Sequence, residues 1–289
     1  MKLANVIWNS KARVALIDGR SAHLLHDRLH DGFDTTDQIL ASGINYMDNL
    51  SESIYERTVP VDDLKFLPAV MNPEKIVLAA VNYRSHAEEN RREMDSPYFF
   101  TRFRNTLIGP YDDLLLPATS KKVDWEAELA VIIGYKGKYI ARERAMEYVA
   151  GYAAANDFSA RDKQIDSFKG RGMGSHWFLG KSIDRSFPLG PYIITTDSIN
   201  DPSDLGIRLF VNSEKMQDGK TSEMIFDIPA LIHHASDGVT LMPGDIISTG
   251  TPSGVAYYNE RPFIKDGDVI RTEIEKVGEL INRAVQETI

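Results

Sequence analysis

Apolar and polar positions along this chain follow two periods, and the shorter one dominates. Residues 2–8 and 13–18 are apolar-rich over strand length and predict a pair of short strands, while a polar stretch over 36–51 has helical spacing. Two prolines, Pro68 and Pro73, punctuate the chain just before an apolar run at 76–81 that predicts another strand. From 123 to 134 the alternation is clean at first. Successive side chains of a strand point to opposite faces, so Trp125, Ala127 and Leu129 lie on one side and Asp124, Glu126 and Glu128 on the other. Further strands are predicted over 151–158, 188–195, 205–211, 245–249 and 268–274, with short helices over 142–149 and 227–236. Many strands without regular helical crossovers predict an α+β protein built on a mixed, curled sheet rather than a doubly wound one. The proline punctuation divides the chain into a small N-terminal α+β module, residues 1–70, and a main domain, residues 71–289. The module carries His23, His26 and His30 and is otherwise chemically quiet.

Composition narrows the function classes. Of 289 residues, 43% are hydrophobic and 26% charged, enough to bury a substantial core. Lys and Arg number 33 against 42 Asp and Glu, a formal charge of −9. With no long basic run, a nucleic-acid partner is not expected. The chain has no cysteine, which removes disulfides, thiolate nucleophiles and sulfur-ligated metals. Lys11 and Arg13 interrupt the apolar N-terminus, so it does not resemble a secretory segment, and no apolar run reaches the ~18 residues of a membrane span. A cytoplasmic protein without a membrane partner is expected.

The candidate chemistry is concentrated after residue 76. Glu126 and Glu128 share a strand face, and two adjacent carboxylates repel unless a cation joins them. Oxygen donors without sulfur suit Mg²⁺ or Mn²⁺. Alternation alone fits a solvated edge strand equally well. The segment GYAAANDFSARD favours a built site, because Asp157 follows small residues that permit close packing and precedes Arg161 and Asp162. His86 and Glu89 are three apart, so on a helix the carboxylate can orient the imidazole as a base, although an ordinary surface contact has the same spacing. His233 and His234 fit a structural role in the 227–236 helix, and His176 is open. Arg102, Arg104, Arg161 and Lys181 are candidates to grip a substrate carboxylate. Residues 241–254 end a strand in a Gly/Pro loop, where backbone N–H groups and the Thr251 hydroxyl can meet a ligand oxygen. That loop is neither a phosphate cradle nor a serine-nucleophile elbow. The glycine-rich segment 170–174 fits a mobile loop near the site or a plain surface turn.

Several of these segments occur in a recognisable order: NYRSHAEE (82–89), VDWEAELAVIIG (123–134), NDFSARD (156–162), GKS (180–182), PLGP (188–191), and PGD (243–245) with TGTPSG (249–254). From about residue 77 to 285 the chain resembles the fumarylacetoacetate hydrolase family. The similarity is to the branch that includes acylpyruvases, oxaloacetate decarboxylases and 5-carboxymethyl-2-hydroxymuconate isomerases. The resemblance implies a mixed β-sheet roll with a pseudo-barrel core, usually a homodimer. It implies that Glu126, Glu128 and Asp157 bind Mg²⁺ or Mn²⁺, that His86 with Glu89 forms the acid/base pair on a segment that closes over the substrate, and that Lys181 is the active-site lysine. It further implies that Tyr83 belongs to the closing segment and that Arg161, Gln164 and Thr251 contact the substrate or its surroundings. Arg102 departs from the pattern, standing where many relatives have Lys, which implies a changed grip on the substrate's distal end. The activity expected is metal-dependent hydrolysis of a C–C bond in a small 2,4-diketo acid of the acylpyruvate type, through an enolate. Decarboxylation of oxaloacetate and isomerisation of a 2-hydroxydienoate are alternatives for the same residues, and a metal-stabilised binding protein without activity is a third.

Overall fold

A computed structural model describes residues 1–25, 33–43, 55–166, 175–199 and 201–288. His26, His30, the second half of the 36–51 segment and the 170–174 loop lie outside the described residues.

The strand Ala127–Ile133 occupies the middle of the molecule, and all seven of its residues are buried. A run this apolar is stable as a strand only when both faces are covered, and both are. Leu129, Val131 and Ile133 pack with Ile207, Leu209, Ile270 and Leu280 of a second, five-stranded sheet. Ala130 and Ile132 point the other way, into a cluster with Leu78, Phe100, Leu189, Leu3 and Ile39. Glu128, two residues before Ala130, shares this second face.

Hydrogen bonding extends the sheet in both directions. Ala127–Ile133 pairs antiparallel with Val149–Asn156 and with Ile246–Ser248. Beyond Val149–Asn156 come Phe187–Thr195, Lys2–Trp8, Lys11–Asp18, Ser21–Leu25 and Tyr55–Pro60. Beyond Ile246–Ser248 come the parallel strand Ile76–Ala80 and the antiparallel strand Tyr98–Arg102. The N-terminal strands therefore continue the main sheet, while Ala4, Val6, Ala15, Leu24 and Phe66 also form a small cluster of their own. The architecture is the expected mixed, mostly β arrangement with few helices. No helix of the described residues is long and apolar enough to cross a membrane.

Two elements differ instructively from expectation, and a third matches it. The single strand predicted over 123–134 is two, Val123–Asp124 and Ala127–Ile133, and the first pairs with Ser159–Ala160 in a separate ladder. The break has a local cause: the Asp124 carboxylate accepts hydrogen bonds from the backbone N–H groups of Trp125, Ala256 and Tyr257, and such bonds compete with ladder pairing. Arg142–Tyr148 is a 3₁₀ helix. The helix Ile228–Ala235 forms as predicted, with Asp227 as N-cap accepting from the Ala230 N–H.

Candidate active site

The break before Ala127 creates the site. Ala127 pairs with Asn156, so one step beyond the paired residues Glu126 faces Asp157, and the Asp157 N–H donates to the Glu126 carbonyl at 2.9 Å. Asn156 secures the corner: its side-chain oxygen accepts from the Glu126 N–H at 3.0 Å and its amide donates to Thr272 at 2.9 Å. Glu126, Glu128 and Asp157 are all buried, and one oxygen of each lies within 4.8 Å of the others. The solvated edge strand that alternation also allowed is thereby set aside.

Cations surround this cluster unevenly. Lys181 Nζ is 2.6 Å from Glu126 and 2.5 Å from Asp157. Arg161 spans Asp124 at 2.9 Å and Glu126 at 2.5 Å, and also donates to Gln164 at 2.9 Å. Arg102 forks onto Asp157, reaches Ser186 Oγ at 2.8 Å and donates to the Phe158 carbonyl. Among the described residues, Glu128 accepts from the Ser248 hydroxyl and, at 3.2 Å, the Gly250 N–H. Among the described residues, four buried carboxylates (Asp124, Glu126, Glu128, Asp157) thus meet three buried cations (Arg102, Arg161, Lys181), and Glu128 is the one without a cationic partner.

Titration follows this imbalance. Burial would raise Glu126, but Lys181 and Arg161 outweigh it and hold the carboxyl below the usual carboxylate range. Burial, reinforced by the charges of Asp157 and Glu126, pushes Glu128 well up. Burial also raises Asp157, against the pull of Arg102 and Lys181. Three buried oxygen donors with one uncompensated charge fit a hard divalent cation such as Mg²⁺ or Mn²⁺.

The helix Arg84–Asn90 carries the histidine. His86 Nδ1 lies 2.6 Å from Glu89 Oε2, and Nε2 lies 2.9 Å from the Asn90 amide. A carboxylate on one nitrogen and an amide donor on the other assign the proton to Nδ1 and the lone pair to Nε2. The helix is anchored to the 249–259 loop: the Gly254 N–H donates to Glu89 at 3.0 Å, Asn259 donates to the same oxygen, and the Ser253 N–H donates to Ser85 at 3.2 Å. That loop is fixed from the second sheet. Gln217 accepts from the Ala127 N–H at 2.9 Å and donates to Thr251 Oγ1 and the Pro252 carbonyl, each at 2.8 Å.

His86, Glu126, Glu128, Arg161, Gln164, Lys181 and Thr251 line one cavity of about 360 Å³, walled further by Phe100, Trp177, Arg92, Tyr98 and Tyr258. Phe100 and Trp177 stack with ring centroids 4.5 Å apart. Gly180 lets Trp177–Lys181 approach Arg161–Gln164, since a Cβ there would sit 2.3 Å from the Gln164 Cβ. Gly250, at φ +86°, turns its N–H onto Glu128, and a Cβ would meet the Ala79 carbonyl at 2.8 Å.

Most of the site residues expected from sequence converge here, Glu89 standing one step behind His86. Three others, Asp157, Tyr83 and Arg102, do not line the cavity, though Asp157 is bonded to Lys181, which does. Tyr83 is fully buried, its hydroxyl 3.3 Å from Thr249 Oγ1, and burial pushes its phenol strongly up. Arg102, expected to hold the substrate, is a correction: its guanidinium lies beneath Asp157 with its donors engaged there and at Ser186 and Phe158. Arg104 is a surface residue donating to Asn72 at 2.9 Å. His233 has the structural role expected, with Nδ1 2.7 Å from the Ile140 carbonyl, and His176 caps the helix that carries Lys181. Sequence reasoning missed Asn90, Asn156, Gln217 and Ser248. Of these only Asn90, one helical turn after His86, carried a local signal.

A buried acidic cluster opening onto a cavity beside an oriented imidazole is the equipment of an enzyme, and similarity gives the class. Residues 75–285 match the family model described as fumarylacetoacetate (FAA) hydrolase C-terminal, and the chain belongs to that family. Among individual relatives, the mitochondrial oxaloacetate tautomerase Fahd2a of Rattus norvegicus is 44% identical over 229 residues, covering 78% of this chain and 71% of the relative. The Homo sapiens oxaloacetate tautomerase FAHD2A matches with the same figures. Among solved structures, maleylpyruvate hydrolase from Sphingobium sp. SYK-6, in complex with manganese(II) and pyruvate, superposes with a TM-score of 0.80 at 30% identity, covering 100% of both chains. The 5-carboxymethyl-2-hydroxymuconate delta-isomerase from Mycobacterium smegmatis gives a TM-score of 0.77 at 29% identity, covering 99% of this chain and 100% of that one.

Proposed function

We propose that this protein interconverts the enol and keto forms of oxaloacetate, or of a close 2-oxo diacid, by moving a proton between the carbon next to the oxo group and the oxo oxygen. The observation that carries this reading is the His86 arrangement. A buried imidazole, protonated toward Glu89 and free to accept at Nε2 once Asn90 yields, faces the cavity that holds the acidic cluster. Oxaloacetate tautomerases at 44% identity support the reaction type.

Glu126, Glu128 and Asp157 would hold a Mg²⁺ or Mn²⁺ ion, which when bound supplies an electrophile for the 2-oxo group. His86 takes the proton from carbon at Nε2 and returns it to oxygen, so the reaction balances without a co-reactant. Glu89 holds the tautomer that leaves Nε2 free to accept and stabilises the imidazolium that forms in between. Lys181 faces the charge that develops on the substrate oxygen, where one well-placed donor is worth about 3 kcal/mol. Phe100 and Trp177 form an apolar wall that keeps water from the carbanion.

Hydrolysis of a C–C bond in a 2,4-diketo acid is a second reading. It is favoured by the cavity, which exceeds what a four-carbon diacid fills, and by the match to a maleylpyruvate hydrolase. The two separate in one assay series with Mg²⁺ or Mn²⁺. Accelerated loss of enol absorbance from oxaloacetate is expected. Release of pyruvate from acylpyruvates with no effect on oxaloacetate would replace the first reading by the second.

A further inference from the structure

Among the described residues, three arginine and lysine side chains line the cavity, and one of them is unengaged. Arg161 is paired with Asp124 and Glu126, and Lys181 with Glu126 and Asp157. Arg92 makes no side-chain hydrogen bond or ion pair among the described residues. Its backbone is nevertheless fixed. Arg91 ends the helix in the left-handed conformation, at φ 53°, and the Arg92 N–H donates to the Ala87 carbonyl at 3.0 Å. The guanidinium is thus presented from an anchored position just past the helix that carries His86.

Tyr258 shares this part of the wall. Its ring packs edge-on against His86 at 5.9 Å, and burial pushes its phenol up while Arg161 and, more weakly, Arg92 pull it down. Its hydroxyl has no hydrogen-bond partner among the described residues. The cavity therefore has two chemically different parts, a buried acidic cluster and an exposed pair of donors without partners among the described residues.

We propose that Arg92, assisted by the Tyr258 hydroxyl, binds the second carboxylate of a dicarboxylic 2-oxo acid whose oxo-acid end lies at Glu126, Glu128 and Asp157. This rests on the function proposed above and makes Arg92 a specificity residue within it. A guanidinium offers a fork matched to a carboxylate, and no other cation lining the cavity among the described residues is free to receive one. Diacids would be selected over monoacids carrying the same oxo-acid end.

The test compares L-malate with L-lactate, which share a 2-hydroxy-acid end and differ in the distal carboxylate. Binding is measured by calorimetry with Mg²⁺ present, for wild type, Arg92→Ala and Arg92→Lys. Wild type should favour malate by about tenfold to a hundredfold, the scale of charge-assisted hydrogen bonds. Arg92→Ala should reduce malate to the affinity of lactate and leave lactate unchanged, with Arg92→Lys in between. With oxaloacetate, Arg92→Ala should raise KM by a similar factor and leave kcat within about twofold, because the contact is the same in ground and transition states. No preference for malate in wild type, no binding of malate at all, or a preference that survives Arg92→Ala would each overturn the proposal. A malate preference that depends on Arg92 in a protein that leaves oxaloacetate untouched would instead remove the tautomerase reading and keep the diacid site.

Discussion

The two ends of the cavity are built on opposite plans. At the acidic end every side chain is buried and fastened: Glu126, Asp157, Lys181, Arg161 and Arg102 form one continuous network, and Glu128 lacks only a cation. At the outer end Arg92, Tyr98 and Tyr258 stand exposed, and Arg92 pairs with nothing among the described residues. Groups that must act on a reacting atom gain from being held before the substrate arrives, because the ordering cost is met during folding. Groups that only recognise a substrate's tail can be ordered by it.

The largest effect that can break this contrast belongs to the inner end. Glu128→Gln should abolish uptake of Mg²⁺ or Mn²⁺ and turnover together while the protein still folds, because the substitution removes the one uncompensated charge. Calorimetry and circular dichroism on the same sample check this, and metal binding that survives would remove Glu128 from the ligand set. Next, His86→Gln should lower turnover by about 10²–10⁴ and leave metal affinity unchanged. An equal loss of metal would merge the two roles.

Arg102→Lys sharpens the comparison further. It keeps the charge but cannot reach Asp157, Ser186 and Phe158 together, so thermal unfolding should report a loss of about 1–3 kcal/mol with little change in substrate KM. A large KM change would return Arg102 to the substrate. Gly180→Ala forces a Cβ against Gln164 and should cost about 1–3 kcal/mol by overpacking.

The smallest effect concerns protons. In the metal-free protein the folded pKa of Glu128 lies above its unfolded value, so the folded state holds a proton there that the unfolded state has released. That group's contribution to stability is therefore present at low pH and is lost as pH rises through the folded pKa. Metal must displace the same proton. Uptake should tighten with rising pH and be accompanied by proton release, which titrations in buffers of different ionisation enthalpy detect.

Legibility in the sequence followed the range of the interaction. Glu126 and Glu128 were readable because strand parity is local. Composition around Asp157 hinted at a built site, but the pairing of Ala127 with Asn156 that brings it opposite Glu126 is a register between distant segments, which no periodicity reveals. Arg102 was legible as a charge and misread as to partner, because its fork closes on residues 55 to 84 positions away. The strands Glu214–Lys220 and Gly278–Gln286 went unpredicted because polar residues occupy buried positions of their alternation, at Gln217 and Asn282. The division between Asp124 and Ala127 came from side-chain bonds that no pattern of hydrophobicity encodes.

Gln217 has a consequence for how the molecule tolerates change. One amide on the outer sheet rivets the start of the central strand to the lip that carries Thr251, and Gly254 on that lip steadies Glu89 behind the imidazole. Beside it Gly219 presses on the same lip, where a Cβ would meet the Pro252 Cβ at 2.5 Å, while Lys215 and Asp218 are exposed and pair at the surface. The exposed positions of that strand can drift in composition at no expense to chemistry some distance away, whereas at position 217 a single lost amide would slacken the base itself.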